Sequence, residues 1–107
     1  MIDLVQLQKR VYQNKIEKGF NVTDIYQEFC LTHGELSEAC DAYRKKKGDL
    51  GEELADVAIY LIGLAEILGV NLEEEIMNKM VKNENRVYEN RDGVLVKVED
   101  NLKGVHL

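Results

Sequence analysis

Residues 54–70 read LADVAIYLIGLAEILGV, and only Asp56 and Glu66 in that stretch carry charge. A helix apolar on every side has to be surrounded on every side. Asp49 with Glu52 three residues on has the pattern of a capping box ahead of this helix, and Gly69 is placed to end it. The chain has 107 residues, the size of one domain, read here as residues 1–107. Three other helices in so short a chain cover about two faces of the apolar rod, so the rest is expected to meet another subunit. No apolar run reaches the ~18 residues of a membrane helix, and no membrane partner is expected.

The remaining elements follow from spacing and punctuation. Leu4, Leu7, Val11 and Tyr12 recur at helical intervals over about residues 3–18, stopped by Gly19. A second helix starts near Asn21 or Thr23 and runs to the basic end Arg44, Lys45, Lys46, Lys47, where cations suit the helix dipole, with Gly48 as its stop. Asn71 caps a fourth helix, with Glu73, Glu74 and Glu75 in its first turn, running to about Arg86. Val87 to Val98 around Asp92-Gly93 reads as a hairpin in a tail over 87–107. Val94, Val96 and Val98 alternate there, so one face is expected to be covered. The fold class is therefore all-α: a four-helix bundle over about 3–88 with a short C-terminal hairpin, assembled as an oligomer.

The net charge is −6, from 14 Lys+Arg against 20 Asp+Glu. Such a surface repels a phosphate backbone, so no nucleic-acid partner is expected. Small phosphorylated ligands stay open, because cations bridge carboxylates to phosphates. Two cysteines and the N-terminus MIDLVQLQKR, polar from its third residue and so no export signal, fit a reducing cytoplasm.

On the apolar helix Asp56 is an anomaly, since a buried charge needs a partner or a metal. Glu53 lies three residues earlier, on the same side. Glu35 and Glu38 stand in the same relation within the small, apolar stretch Gly34-Glu35-Leu36-Ser37-Glu38-Ala39. The residues between, Ala39 to Glu52, suffice for one helix to finish, turn and let the next run back antiparallel. Two acidic pairs then face each other across a groove. Four converging carboxylates do not all stay ionised without cations, and hard oxygen donors select Mg²⁺, with Mn²⁺ as a substitute. Such ions hold a polyphosphate, polarise its phosphorus and lower the pKa of an attacking water. The plain alternative is salt-bridged decoration of helix surfaces, which one ExxE alone would suggest.

Lys79, Asn83 and Arg86, at i, i+4 and i+7, are expected along one face of the fourth helix, where cations neutralise charge on a phosphate. Lys82 and Arg91 are possible substitutes. Asn14 and Phe20, with Tyr12 and Tyr60 nearby in type, are candidates for contact with a nucleobase, although aromatics at such positions more often fill a core.

Gly34 to Ala39 followed by Glu52-Glu53-Leu54-Ala55-Asp56-Val57-Ala58 closely resembles the MazG-like all-α nucleoside triphosphate pyrophosphohydrolases. Their signature is ExxE, a spacer of about a dozen to two dozen residues, then ExxD. The similarity covers about residues 20–88. It implies Mg²⁺-dependent hydrolysis of a nucleoside triphosphate between its α and β phosphates, giving monophosphate and pyrophosphate. It makes Glu35, Glu38, Glu53 and Asp56 the catalytic metal ligands, with Glu35 or Glu38 open as general base. It implies that Lys79, Asn83 and Arg86 touch phosphates or sugar, that the assembly is a homodimer or homotetramer, and that the role is clearing nucleotide pools. Glu52, next to the motif, points about 100° away from Glu53.

Other chemistries fit less well. Cys30, His33, Ser37 and Cys40 share a stripe but match no closed zinc site. A di-iron bundle needs Glu-x-x-His, and neither His33 nor His106 has that offset. No phosphate loop and no GxSxG turn is present. From another class, a helical scaffold could bind nucleotide without turnover, but the intact carboxylate set argues against it.

Overall fold

A computed structural model describes residues 1–100; residues 101–107, the end of the expected tail including His106, lie outside the described residues. The elements are α1 (Leu4–Lys18), α2 (Ile25–Arg44), α3 (Leu50–Ile67), α4 (Leu72–Glu84), β1 (Arg86–Arg91) and β2 (Val94–Asp100). Four helices and one hairpin are thus the expected elements. They form two compact units, one up to Leu72 and one from Glu73 onward. Among the described residues no helix is long and apolar enough to cross a membrane.

Local chemistry explains most boundaries. The Asp3 carboxylate accepts the Gln6 N–H at 3.1 Å and that of Asp24 accepts Gln27 N–H at 3.1 Å, so both α1 and α2 begin on side-chain caps. Asp24, rather than Asn21 or Thr23, is the cap of α2; Asn21 instead organises the turn before it, its Oδ1 accepting the Asp24 N–H at 3.0 Å. α3 closes on Gly69 (φ 69°), whose N–H reaches Glu66 O while Val70 N–H reaches Ala65 O.

Two further boundary expectations are corrected. α2 ends not at Gly48 but on Lys46, which takes the left-handed conformation (φ 55°) while Lys47 N–H reaches back to Ala42 O. The capping box of α3 is not made: Asp49 has ψ 20° instead of an extended backbone, and its side chain bonds no backbone N–H.

In the first unit α3 packs against both α1 and α2. The apolar core is small: Ala39, Ala42, Ile62, Leu64 and Ala65. Three polar side chains are buried with it, Gln8, Lys15 and Glu28. Gln8 donates to Glu66 Oε2 and Val70 O and accepts the Leu72 N–H, fastening α1 to the far end of α3. α1 crosses α3 at Gly63, where a Cβ would lie 2.8 Å from Lys15 Cε. Exposed apolar residues recur every seven positions, as Phe29, Leu36 and Tyr43 on α2 and as Leu54 and Leu61 on α3 with Leu68 at its C-cap. Leu36, Tyr43, Leu50 and Leu54 line an open apolar groove of about 400 Å³.

In the second unit α4 stops at Glu84, where Asn85 N–H reaches Val81 O and Lys82 O and the Asn85 side chain also donates to Val81 O at 2.8 Å. β1 and β2 pair antiparallel through Asp92-Gly93, both at positive φ as a tight hairpin turn requires. The cover expected for the valine face is not supplied by the described residues of this chain: Val94 and Val98 stay exposed and Val96 is half-buried.

Candidate metal centre

α2 and α3 run antiparallel, so the acidic pairs on each helix meet. Glu35, Glu38 and Glu53 each offer a carboxylate oxygen within 4.8 Å of the other two, a group of the kind that could hold a metal ion. Glu35 Oε2 and Glu53 Oε2 are buried without a hydrogen-bond partner. Buried acceptors are normally satisfied, so two orphaned anionic oxygens aimed at one small volume suit a divalent cation. An oxygen-only donor set fits Mg²⁺ or Mn²⁺ better than a softer metal.

The electrostatics agree. Burial holds the Glu35 carboxyl above its ordinary range, reinforced by Glu38, Asp56 and Glu53 and by a hydrogen bond that the protonated Glu35 carboxyl donates to Glu38. Glu53 is raised by desolvation and then by Asp49, Glu38 and Asp56, with Lys47 pulling the other way. Asp56, one turn beyond Glu53, thus bears on both, although it lies outside the closest group of three. Its expected burial is corrected: within a single chain Asp56 is exposed, because α1 and α2 cover other faces of α3.

Asp49 was not foreseen at this place. Its failed cap leaves Oδ1 buried and unpartnered, one helical turn before Glu53. Tyr60 also faces the acids: burial pushes its phenol up, and Glu35, Glu28, Asp56 and Glu38 add to the shift. Beneath it Lys15 Nζ sits 5.0 Å from the ring centroid and pairs with Glu28. Sequence reasoning missed that pair, and no local pattern pointed to it, because its two members come from different helices.

The other candidates are not members of this acidic group. Asn14 is exposed and lines an open groove of about 660 Å³ with Arg10, Val11 and Ile59. Phe20 is exposed in the α1–α2 turn. Lys79, Asn83 and Arg86 belong to the second unit and do not share one helical face, because α4 has ended before Arg86 opens β1. Cys30 and Cys40 are free and exposed.

The family model described as the MazG-like family matches residues 27–102, which includes all four carboxylates. No curated protein and no solved structure gives a match.

Proposed function

The chain belongs to the MazG-like family, and from that membership we propose that it is a Mg²⁺-dependent nucleoside triphosphate pyrophosphohydrolase. It cleaves ribo- or deoxynucleoside triphosphates to the monophosphate and pyrophosphate, with residues 1–107 acting as one domain. The observation that carries this reading is the pair of buried, unpartnered oxygens of Glu35 and Glu53 grouped with Glu38.

Glu35, Glu38, Glu53 and Asp56 would hold the cation. Bound there, Mg²⁺ or Mn²⁺ would supply charge neutralisation for the triphosphate and would lower the pKa of a nearby water. Glu35 or Glu38 takes the proton of the attacking water. Lys79, Asn83 and Arg86 contact phosphate or sugar, and Asn14 and Phe20 contact the nucleoside. The exposed seven-residue rows on α2 and α3 support a homodimer or homotetramer, since a second copy presenting the same rows would cover them. The free cysteines suit a reducing cytoplasm, where the activity would clear unwanted nucleotides.

Glu38→Gln and Asp56→Asn test the ligand assignment. Each is expected to lower Mg²⁺-dependent turnover by more than the ~100-fold that loss of an outer-sphere partner costs. A variant cleaving at the wild-type rate would remove that residue from the metal centre.

A further inference from the structure

Three helices meet at a buried ion pair that the carboxylate chemistry does not use. Lys15 Nζ donates to Glu28 Oε1 at 2.5 Å, with side chains 8% and 1% exposed. Asn21 Nδ2 donates to the other Glu28 oxygen at 3.2 Å and to Asp24 O at 2.9 Å, so the pair also holds the α1–α2 turn. The Lys15 stem runs across Gly63 and its ammonium lies over the Tyr60 ring. Exchanging a buried ion pair for apolar side chains is often neutral or stabilising. Its presence here therefore calls for a reason other than stability.

Register supplies one. Along α1, Gln8 meets Glu66 and Val70, and Lys15 meets Tyr60 and Gly63. The helix thus descends α3 toward Asp56, one turn below Tyr60, and the turn after Gly19 comes level with the acidic end. Along α2, Glu28 lies two turns before Glu35. The pair joins α1 to α2 by short hydrogen bonds and meets α3 through the Tyr60 ring and the Lys15 stem at Gly63. The exposed Phe20 ring sits in the turn it anchors.

We propose that the Lys15–Glu28 pair is a positioning device that fixes the α1–α2 turn, with Phe20, at a set distance from the carboxylates, and so determines which nucleoside the site accepts. This rests on the triphosphate reading above. Neither residue touches the reacting phosphates; both act through the turn.

The test is steady-state hydrolysis of the standard ribo- and deoxynucleoside triphosphates at saturating Mg²⁺. It compares wild type, Lys15→Met with Glu28→Gln together, Phe20→Ala, and the three changes combined. The joint replacement leaves no orphaned charge, and the new amide at position 28 can still bond Asn21. Its kcat and melting temperature should stay near wild type while KM rises roughly tenfold, the mark of lost binding without lost chemistry. Discrimination between nucleotides should narrow, and Phe20→Ala should add nothing further in that background, since both changes act through one turn. Gly63→Ala, which crowds the Lys15 stem and removes no charge, should raise KM in the same direction and serves if the joint variant does not fold. Wild-type KM and discrimination in the folded variants, or additive effects with Phe20→Ala, would overturn the positioning role and leave the enzyme reading intact. A wild-type chain that cleaves no triphosphate would overturn the enzyme reading and this proposal with it.

Discussion

At the scale of single residues the candidate metal centre is a set of mutual repulsions. The Glu35 carboxyl of the metal-free protein titrates above the ordinary 4.5, because it is buried and faces Glu38, Asp56 and Glu53. A raised native pKa means that the folded state keeps a proton the unfolded chain has already lost. The contribution to stability is therefore full below the unfolded value and is lost as pH rises through the native one. Metal-free protein should melt progressively lower as pH rises from about 4.5 toward neutrality, and Mg²⁺ should reverse that loss. Glu35→Gln should raise the melting temperature of the metal-free protein at neutral pH while weakening Mg²⁺ binding, read by thermal melts and titration calorimetry. A lower melting temperature with undiminished Mg²⁺ affinity would mean that Glu35 is a structural residue. These acids were legible in the sequence because i, i+3 spacing on a helix is a local property. The Lys15–Glu28 pair was not, because its partners come from two helices joined by a turn whose geometry no local pattern encodes.

At the scale of elements, helix starts and stops were legible where one residue's chemistry decides them. Gly19 and Gly69 act as read. The two early helix ends share a cause: a neighbour answered the same need first. Lys46 adopts the left-handed conformation two residues before Gly48, so α2 stops early. Asn85 closes α4 before Arg86, and Lys79, Asn83 and Arg86 lose their common helical face. A left-handed lysine carries a Cβ penalty that glycine lacks. Lys46→Gly should accordingly stabilise the protein by about 1 kcal/mol, measured by denaturant unfolding. Destabilisation would mean that the Lys46 side chain makes a contact that offsets its strain.

At the scale of the whole molecule, the apolar sequence of α3 announced more burial than one chain supplies. Leu54, Leu61 and Leu68 remain exposed, as do Phe29, Leu36 and Tyr43, while the buried apolar core among the described residues holds only five side chains. Sedimentation at micromolar concentration should show a dimer or tetramer, and Leu61→Glu, away from the carboxylates, should dissociate it. A monomeric wild type would contradict the reading of these rows as a subunit interface. The central claim is the reaction itself, and incubation of the wild-type chain with nucleoside triphosphates and Mg²⁺, followed by chromatographic separation of products, tests it most directly. Monophosphate and pyrophosphate in equal amounts, abolished by chelation of the metal, are the predicted result. Diphosphate with orthophosphate would contradict cleavage between the α and β phosphates, and nucleotide binding without turnover would make the chain a nucleotide-binding scaffold instead of an enzyme.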